Sequence, residues 1–233
     1  MNAATSQRRR MVVTFDLDDT LYKEIDFLRS GYRAVASWLR ERYSCLPPTL
    51  LDDMLGAYAS GVPAFQRVID DYHLTECSVA DMLEVYRYHR PDISLAADVE
   101  AVLEALARSG CALGIITDGR EATQLNKIYA LGLDRYMAVP GDVVISEVIG
   151  SAKPACANYE YFEQRYPDCR YVYVADNPAK DFVAPNAMGW GTVALLDDGR
   201  NIHPQRLSSA EPDYRPQHEI SSLDALPDLL SRL

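Results

Sequence analysis

The chain has no apolar run long enough to cross a bilayer. Its first, Met11 to Val13, meets Asp16 within a few residues, far short of the roughly 20 apolar residues a spanning helix needs. That run follows a polar start ending in Arg8, Arg9 and Arg10 and is too short for a secretory leader, so a cytoplasmic protein is expected. Cysteine is sparse and unpatterned: Cys45, Cys77, Cys111, Cys156 and Cys169 are odd in number and contain no C-x-x-C. This argues against both a disulfide framework and a zinc site and leaves reduced thiols as the expectation. Positive charge is in short supply, with 23 Lys and Arg against 34 Asp and Glu and a net charge of -11. Neither a nucleic-acid face nor an anionic membrane surface is expected as the main partner, and any phosphate must be captured locally. His73, His89, His203 and His218 show no metal-ligand spacing, are expected away from the motifs and are assigned no role. Internal repeats and low-complexity tracts are absent.

What is present is a change of texture along 233 residues, enough for one larger domain or a core with an insert. From Ile25 to about Arg90 the pattern predicts helix after helix, punctuated at Pro47-Pro48, Gly61-Val62-Pro63 and Pro91. From Ala97 helix and strand alternate. Val99, Val102, Leu103 and Leu106 form an apolar helix stripe stopped at Gly110, and Ala112 to Thr117 reads as a buried strand. Helices over Glu121–Leu131, Pro154–Arg165 and Ala179–Met188 then interleave with strands over Asp142–Ser146, Tyr171–Ala175 and Thr192–Leu196. A polar, aperiodic stretch from Arg200 to Arg215 precedes a closing helix over Leu223–Leu233. The alternation predicts an α/β fold, a parallel sheet with helices on both faces.

In such sheets ligands bind beyond the C-terminal ends of the strands, and polar residues gather there in this sequence. Three strands end in Asp16-Leu17-Asp18, in Thr117-Asp118-Gly119 and in Asp176-Asn177, and Lys153-Pro154 stands just before a helix. Asp16 and Asp18 project to the same side of an extended chain while Leu17 points inward and Asp19 away. Acids near a core are costly without a cation, and a divalent metal is the natural candidate. A calcium loop starting at Asp16 would need glycine at position six and an acid at position twelve, but those positions are Leu21 and Phe27. Helix capping explains Asp118 or Asp181 singly but explains the whole set poorly.

Together these residues resemble the four motifs, in order, of the haloacid dehalogenase superfamily of phosphohydrolases: Asp16-Leu17-Asp18-Asp19-Thr20, Ile116-Thr117-Asp118-Gly119, Lys153-Pro154, and Ala175-Asp176-Asn177-Pro178-Ala179-Lys180-Asp181-Phe182. Ala175 stands where the family often has glycine. The resemblance implies a Rossmann-like core over 1–21 and 92–233 with an inserted helical cap of type 1 over 22–91 acting as a lid. It implies that Asp16 is the nucleophile, forming an aspartyl-phosphate, and that Asp18 is acid and then base, with a pKa raised by its neighbouring carboxylate. Mg²⁺ would be held by Asp16, the Asp18 backbone carbonyl and Asp176, with Asp181 supporting them. Thr117 and the backbone N–H groups of Asp118 and Gly119 would grip phosphate oxygens, and Lys153 would offset the charge.

A dehalogenase attacks carbon and releases halide, and the family's dehalogenases lack the second acid, so Asp18 favours phosphate chemistry. Three alternatives remain: a phosphotransferase such as a sugar phosphomutase, a phosphoreceiver domain, and a catalytically silent binding module. Receivers place the phosphorylated Asp well after the acid pair and carry no large helical insert. Arg120 is a candidate to bind a substrate carboxylate or second phosphate. Tyr22, Lys23, Phe27, Arg29 and Arg33 lie at the core-to-cap junction, Lys127 is expected to face solvent, and Tyr159, Tyr161, Tyr166, Tyr171 and Tyr173 read as packing. The expected substrate is a small sugar phosphate or nucleoside monophosphate.

Overall fold

The computed structural model describes residues 10–207 and 210–233; the polar start over 1–9 lies outside the described residues. Six strands, β1 (Met11–Phe15), β2 (Ala112–Thr117), β3 (Val143–Ile145), β4 (Arg170–Ala175), β5 (Gly191–Leu195) and β6 (His218–Ile220), form one sheet. The strands run parallel in the order β3-β2-β1-β4-β5-β6. The three-residue edge strand β6 has too few residues to show a period. It exists because it pairs with β5, Val193 opposite His218 and Leu195 opposite Ile220.

The two-residue period of the strands divides the core. Val13 and Phe15 of β1, Ile115 of β2, Val174 of β4 and Val193 of β5 enter one apolar cluster with Val102, Leu103 and Leu106 of α5 (Ala97–Arg108). Ile128 of α6 (Glu121–Ala130) and Leu226 and Leu230 of α10 (Leu226–Arg232) join it. Val12, Ile116, Tyr173 and Ala194 enter a second cluster on the other face, with Tyr159 and Phe162 of α8 (Ala157–Arg165) and Ala184 of α9 (Val183–Ala187). A sheet covered on both faces is why these strands read as unbroken apolar runs. The short α7 (Ser146–Ile149) follows β3 directly. Helix α8 begins after the predicted Pro154, and α9 is five residues long rather than the ten predicted. Asn177 to Phe182 is instead a turn built on the Asp181 N–H bonded to the Asn177 carbonyl.

Between β1 and α5 stand α1 (Glu24–Arg42), α2 (Leu50–Ala59), α3 (Ala64–Tyr72) and α4 (Val79–Tyr88). They share a third apolar cluster in which α1 contributes Leu28, Tyr32, Val35, Ala36 and Leu39 at helical spacing. Ser78 and Asp81 make a reciprocal capping box at the start of α4, and the Asp19 carboxylate accepts the Glu24 N–H at the start of α1. Among the described residues no helix is long and apolar enough to cross a membrane.

Candidate active site

The strand order reverses between β1 and β4, and in open parallel sheets that switch point opens a crevice at the strands' C-terminal ends. Asp16 leaves β1 there, its N–H still bonded to the Val174 carbonyl at 2.9 Å, and Asp176 leaves β4 beside it. Carboxylate oxygens of Asp16, Asp176 and Asp181 lie within 4.8 Å of one another, and all three residues are buried. Lys153 reaches into the group, its ammonium 2.8 Å from Asp16 and 2.7 Å from Asp181. The phenol of Tyr173 accepts from Lys153 at 3.0 Å and touches Asp181 at 3.2 Å. The packing read for the tyrosines is present, and Tyr173 and Tyr159, which donates to the Asp181 carbonyl at 3.1 Å, also brace the site.

Three acids around one ammonium leave an excess of negative charge in a dry place. Burial, with Asp16 and Asp181 nearby, pushes the Asp176 carboxyl up to about 8. Burial pushes Asp16 up to about 6 against the opposing pull of Lys153. Lys153 is itself held well above the usual lysine range, because Asp16 and Asp181 overcome its burial. Closely set carboxylate oxygens with surplus charge fit a hard divalent cation such as Mg²⁺.

Asp18 is not part of that cluster through its side chain. Its carboxylate turns to Lys127, 2.7 and 3.0 Å from the two oxygens, to Gln124 at 3.1 Å and to the Tyr22 hydroxyl. This corrects two expectations. Lys127 is buried, lying 4.4 Å from the Phe27 ring centre, instead of facing solvent. Burial raises the Asp18 carboxyl, but Lys127 and the hydrogen bonds outweigh it and leave the group below the usual carboxylate range, not above it.

The second motif is spread over several tasks. Thr117 is buried in the cavity wall and its hydroxyl accepts from Gln124 at 2.6 Å. The Asp118 carboxylate accepts the Lys153 N–H at 3.0 Å and pairs with Lys180 at 3.1 Å, so it joins three motif loops. The Gly119 N–H donates to the Ser146 hydroxyl at 2.9 Å, and Gly119 at φ 146° holds a backbone shape open mainly to glycine. Arg120 is exposed and stands outside the cavity lining.

The cavity, roughly 190 Å³, is lined by Asp16, Asp18, Asp19, Glu24, Thr117, Asp118, Asp176, Asn177, Lys180 and His203. His203 therefore belongs at the site's rim, contrary to its expected distance. Asn201 and Gln205, in the same aperiodic stretch, donate to the Asp176 carboxylate at 2.9 Å and to its backbone carbonyl at 2.6 Å. No sequence signal marks those two. Gln124 and Lys127 fall on the Ile128 face of α6, and a polar side chain on that buried face needs a buried partner, which Asp18 supplies to both.

Against known proteins, residues 13–195 match the haloacid dehalogenase-like hydrolase family. The chain belongs to that family. A glyceraldehyde 3-phosphate phosphatase of Methanocaldococcus jannaschii is 26% identical over 95% of this chain and 97% of its own. A ribulose-1,5-bisphosphate 5-phosphatase of Halopiger xanaduensis is 29% identical over 60% of this chain and 58% of its own. Among solved structures, the HAD-hydrolase YfnB of Bacillus subtilis, described as bound to magnesium, shares the fold at TM-score 0.64 and 20% identity, covering 96% of this chain and 99% of its own. A 2-haloacid dehalogenase of Pseudomonas syringae shares it at TM-score 0.62 and 24% identity, with the same coverage.

Proposed function

We propose that this family member is a Mg²⁺-dependent phosphatase of a small phosphorylated metabolite, working through an aspartyl-phosphate on Asp16. The observation that carries the reading is the second carboxylate, Asp18, held by three donors in the same cavity as Asp16 yet outside the cluster that fits a metal. Displacing halide from carbon needs no proton donor, whereas an alkoxide leaving phosphorus does. The two relatives named as sugar-phosphate phosphatases support the same side.

In the first step an Asp16 oxygen bonds to phosphorus as the ester P–O bond breaks, and Asp18 delivers a proton to the departing oxygen. The arriving phosphate dianion raises the proton affinity of Asp18. In the second step Asp18 takes a proton from water as that water attacks the phosphorus and frees Asp16. Thr117 and Lys153 hold phosphoryl oxygens, and Asp118 fixes Lys153 and Lys180 in place. Asp16, Asp176 and Asp181, with the Asp18 carbonyl, would hold Mg²⁺, which when bound offsets phosphoryl charge. The four-helix insert, entered through Tyr22 and Glu24, acts as the lid, and closure excludes bulk water and restricts substrates to small molecules. All five cysteines are free thiols, which suits a reducing, cytoplasmic setting.

The test is phosphate release from a panel of sugar phosphates and nucleoside monophosphates, with Mg²⁺ and with chelator, for the wild type and Asp16→Asn. Turnover requires the metal and falls at least about 10³-fold in the variant, as loss of a covalent nucleophile demands. Halide release from a 2-haloacid without metal would replace this reading with the dehalogenase one. Transfer to a sugar hydroxyl in place of phosphate release would make the protein a phosphomutase.

A further inference from the structure

Three cations approach the cavity's acids, and each already has a partner. Lys127 takes both oxygens of Asp18, Lys153 bridges Asp16 and Asp181, and Lys180 pairs with Asp118. No cation among the cavity-lining residues is left waiting for a second anionic group. Arg120, the sequence candidate for that task, stands outside the lining. His203 lines the rim and is exposed to water there.

Glu24 is the converse case. It opens α1, its N–H fixed by the Asp19 carboxylate at 2.9 Å, and it lines the cavity. Its own carboxylate accepts no hydrogen bond from any described residue. It shares that lining with Asp18, the acid on the side where the leaving group departs. A half-buried carboxylate with unfilled lone pairs is an acceptor awaiting a donor. Burial and the nearby Asp18 carboxylate push the Glu24 carboxyl up to about 7, so above that pH its charge opposes any anion brought beside it.

We infer that Glu24 selects the leaving group: the substrate is a phosphomonoester of a short, uncharged hydroxylated chain, whose hydroxyl near the ester donates to Glu24, and a second phosphate or carboxylate on that chain is rejected. This rests on the phosphatase reading and narrows it. A cavity of roughly 190 Å³ has room for a phosphoryl group and a few carbons, so a three-carbon substrate fills it and meets its lining, of which Glu24 is part. Because one relative is named for a bisphosphate substrate, the selection belongs to this chain's own charge arrangement and not to the family.

Glyceraldehyde 3-phosphate and 3-phosphoglycerate share a skeleton and differ in an aldehyde against a carboxylate. With Mg²⁺ present at pH 8, where Glu24 is ionised, the wild type should favour the first by at least about tenfold in kcat/KM, since like charges brought together in a cleft cost that much or more. Glu24→Gln, equal in size, should shrink the ratio at least about fivefold. The wild-type ratio needs no variant to fold, and a value within about twofold of unity overturns the inference, as does a folded Glu24→Gln protein with the ratio unchanged. If neither compound nor p-nitrophenyl phosphate releases phosphate, the phosphatase reading itself fails and takes this inference with it.

Discussion

Replacing Lys127 by methionine keeps the length of the side chain and removes the charge, isolating what the ammonium does for Asp18. The ion pair is 2.7 Å long, with the Lys127 and Asp18 side chains only 4% and 19% exposed. At about 3 Å and an effective dielectric of about 20, two unit charges attract by roughly 5 kcal/mol. Desolvation of both groups offsets much of that, and removing one partner of a buried pair costs about 3–5 kcal/mol. Asp18 keeps Gln124 and Tyr22 as donors, so the lower end, about 3 kcal/mol, applies. For a chain of this size that lowers Tm by roughly 6–12 °C. The Asp18 carboxyl is depressed by the pairing, so the stabilisation is present above its unfolded value near 4 and is lost as pH falls through the folded one. The wild-type advantage in a thermal melt should therefore be full at pH 7 and shrink at pH 4 and below. Catalysis gives a second readout, because a freed Asp18 is misplaced as proton donor. The loss of kcat should be at least about tenfold greater for an alkyl phosphate than for p-nitrophenyl phosphate, whose leaving oxygen needs no proton. An unchanged melt, or equal losses on the two substrates, would refute the assignment of Lys127 as the group that positions Asp18.

Metal and pH are linked through the acids. Asp176 at about 8, Glu24 at about 7 and Asp16 at about 6 all lie above their unfolded values, so the metal-free folded state binds extra protons between about pH 4 and 8. Its stability falls as pH rises through that window, by up to about 1.4 kcal/mol per pH unit for each extra proton held; His89, which burial pushes down, opposes this near pH 6. Melts in chelator should therefore drop from pH 5 to 8 and Mg²⁺ should reverse the drop, and a flat or rising metal-free series would count against the acid cluster. Gly114→Ala would drive a methyl group into the Phe162 ring and close upon the Asp142 carbonyl, an overpacking cost of about 1–3 kcal/mol readable as a lower denaturation midpoint, whereas Gly56→Ala, with open space around it, should not destabilise.

The site was legible where chemistry and strand period coincide. Asp16, Thr117 and Asp176 each sit at the tip of a run whose β-branched residues announce a two-faced strand, and parallel topology brings such tips together. The direction of Lys127 was not legible by reading outward from the motifs, because a lysine on a helix is ordinarily solvated. Only the approach of α6 to Asp18 buries it. Asn201 and Gln205 were beyond reach for a different reason: their segment has no period, and their hydrogen bonds to Asp176 span 25 and 29 residues.

From residue order alone came the alternation of helix and strand, the helical block before it and the acids at strand ends, since periodicity and local chemistry are properties of neighbours along the chain. The tertiary structure alone decided which charges meet. It added β6 by pairing it to β5, turned the Asp18 carboxylate away from the metal-fitting cluster and left Glu24 lining the cavity without a donor among the described residues. Each of these depends on the distance and dryness between segments far apart in sequence, and electrostatic energy is set by those two quantities.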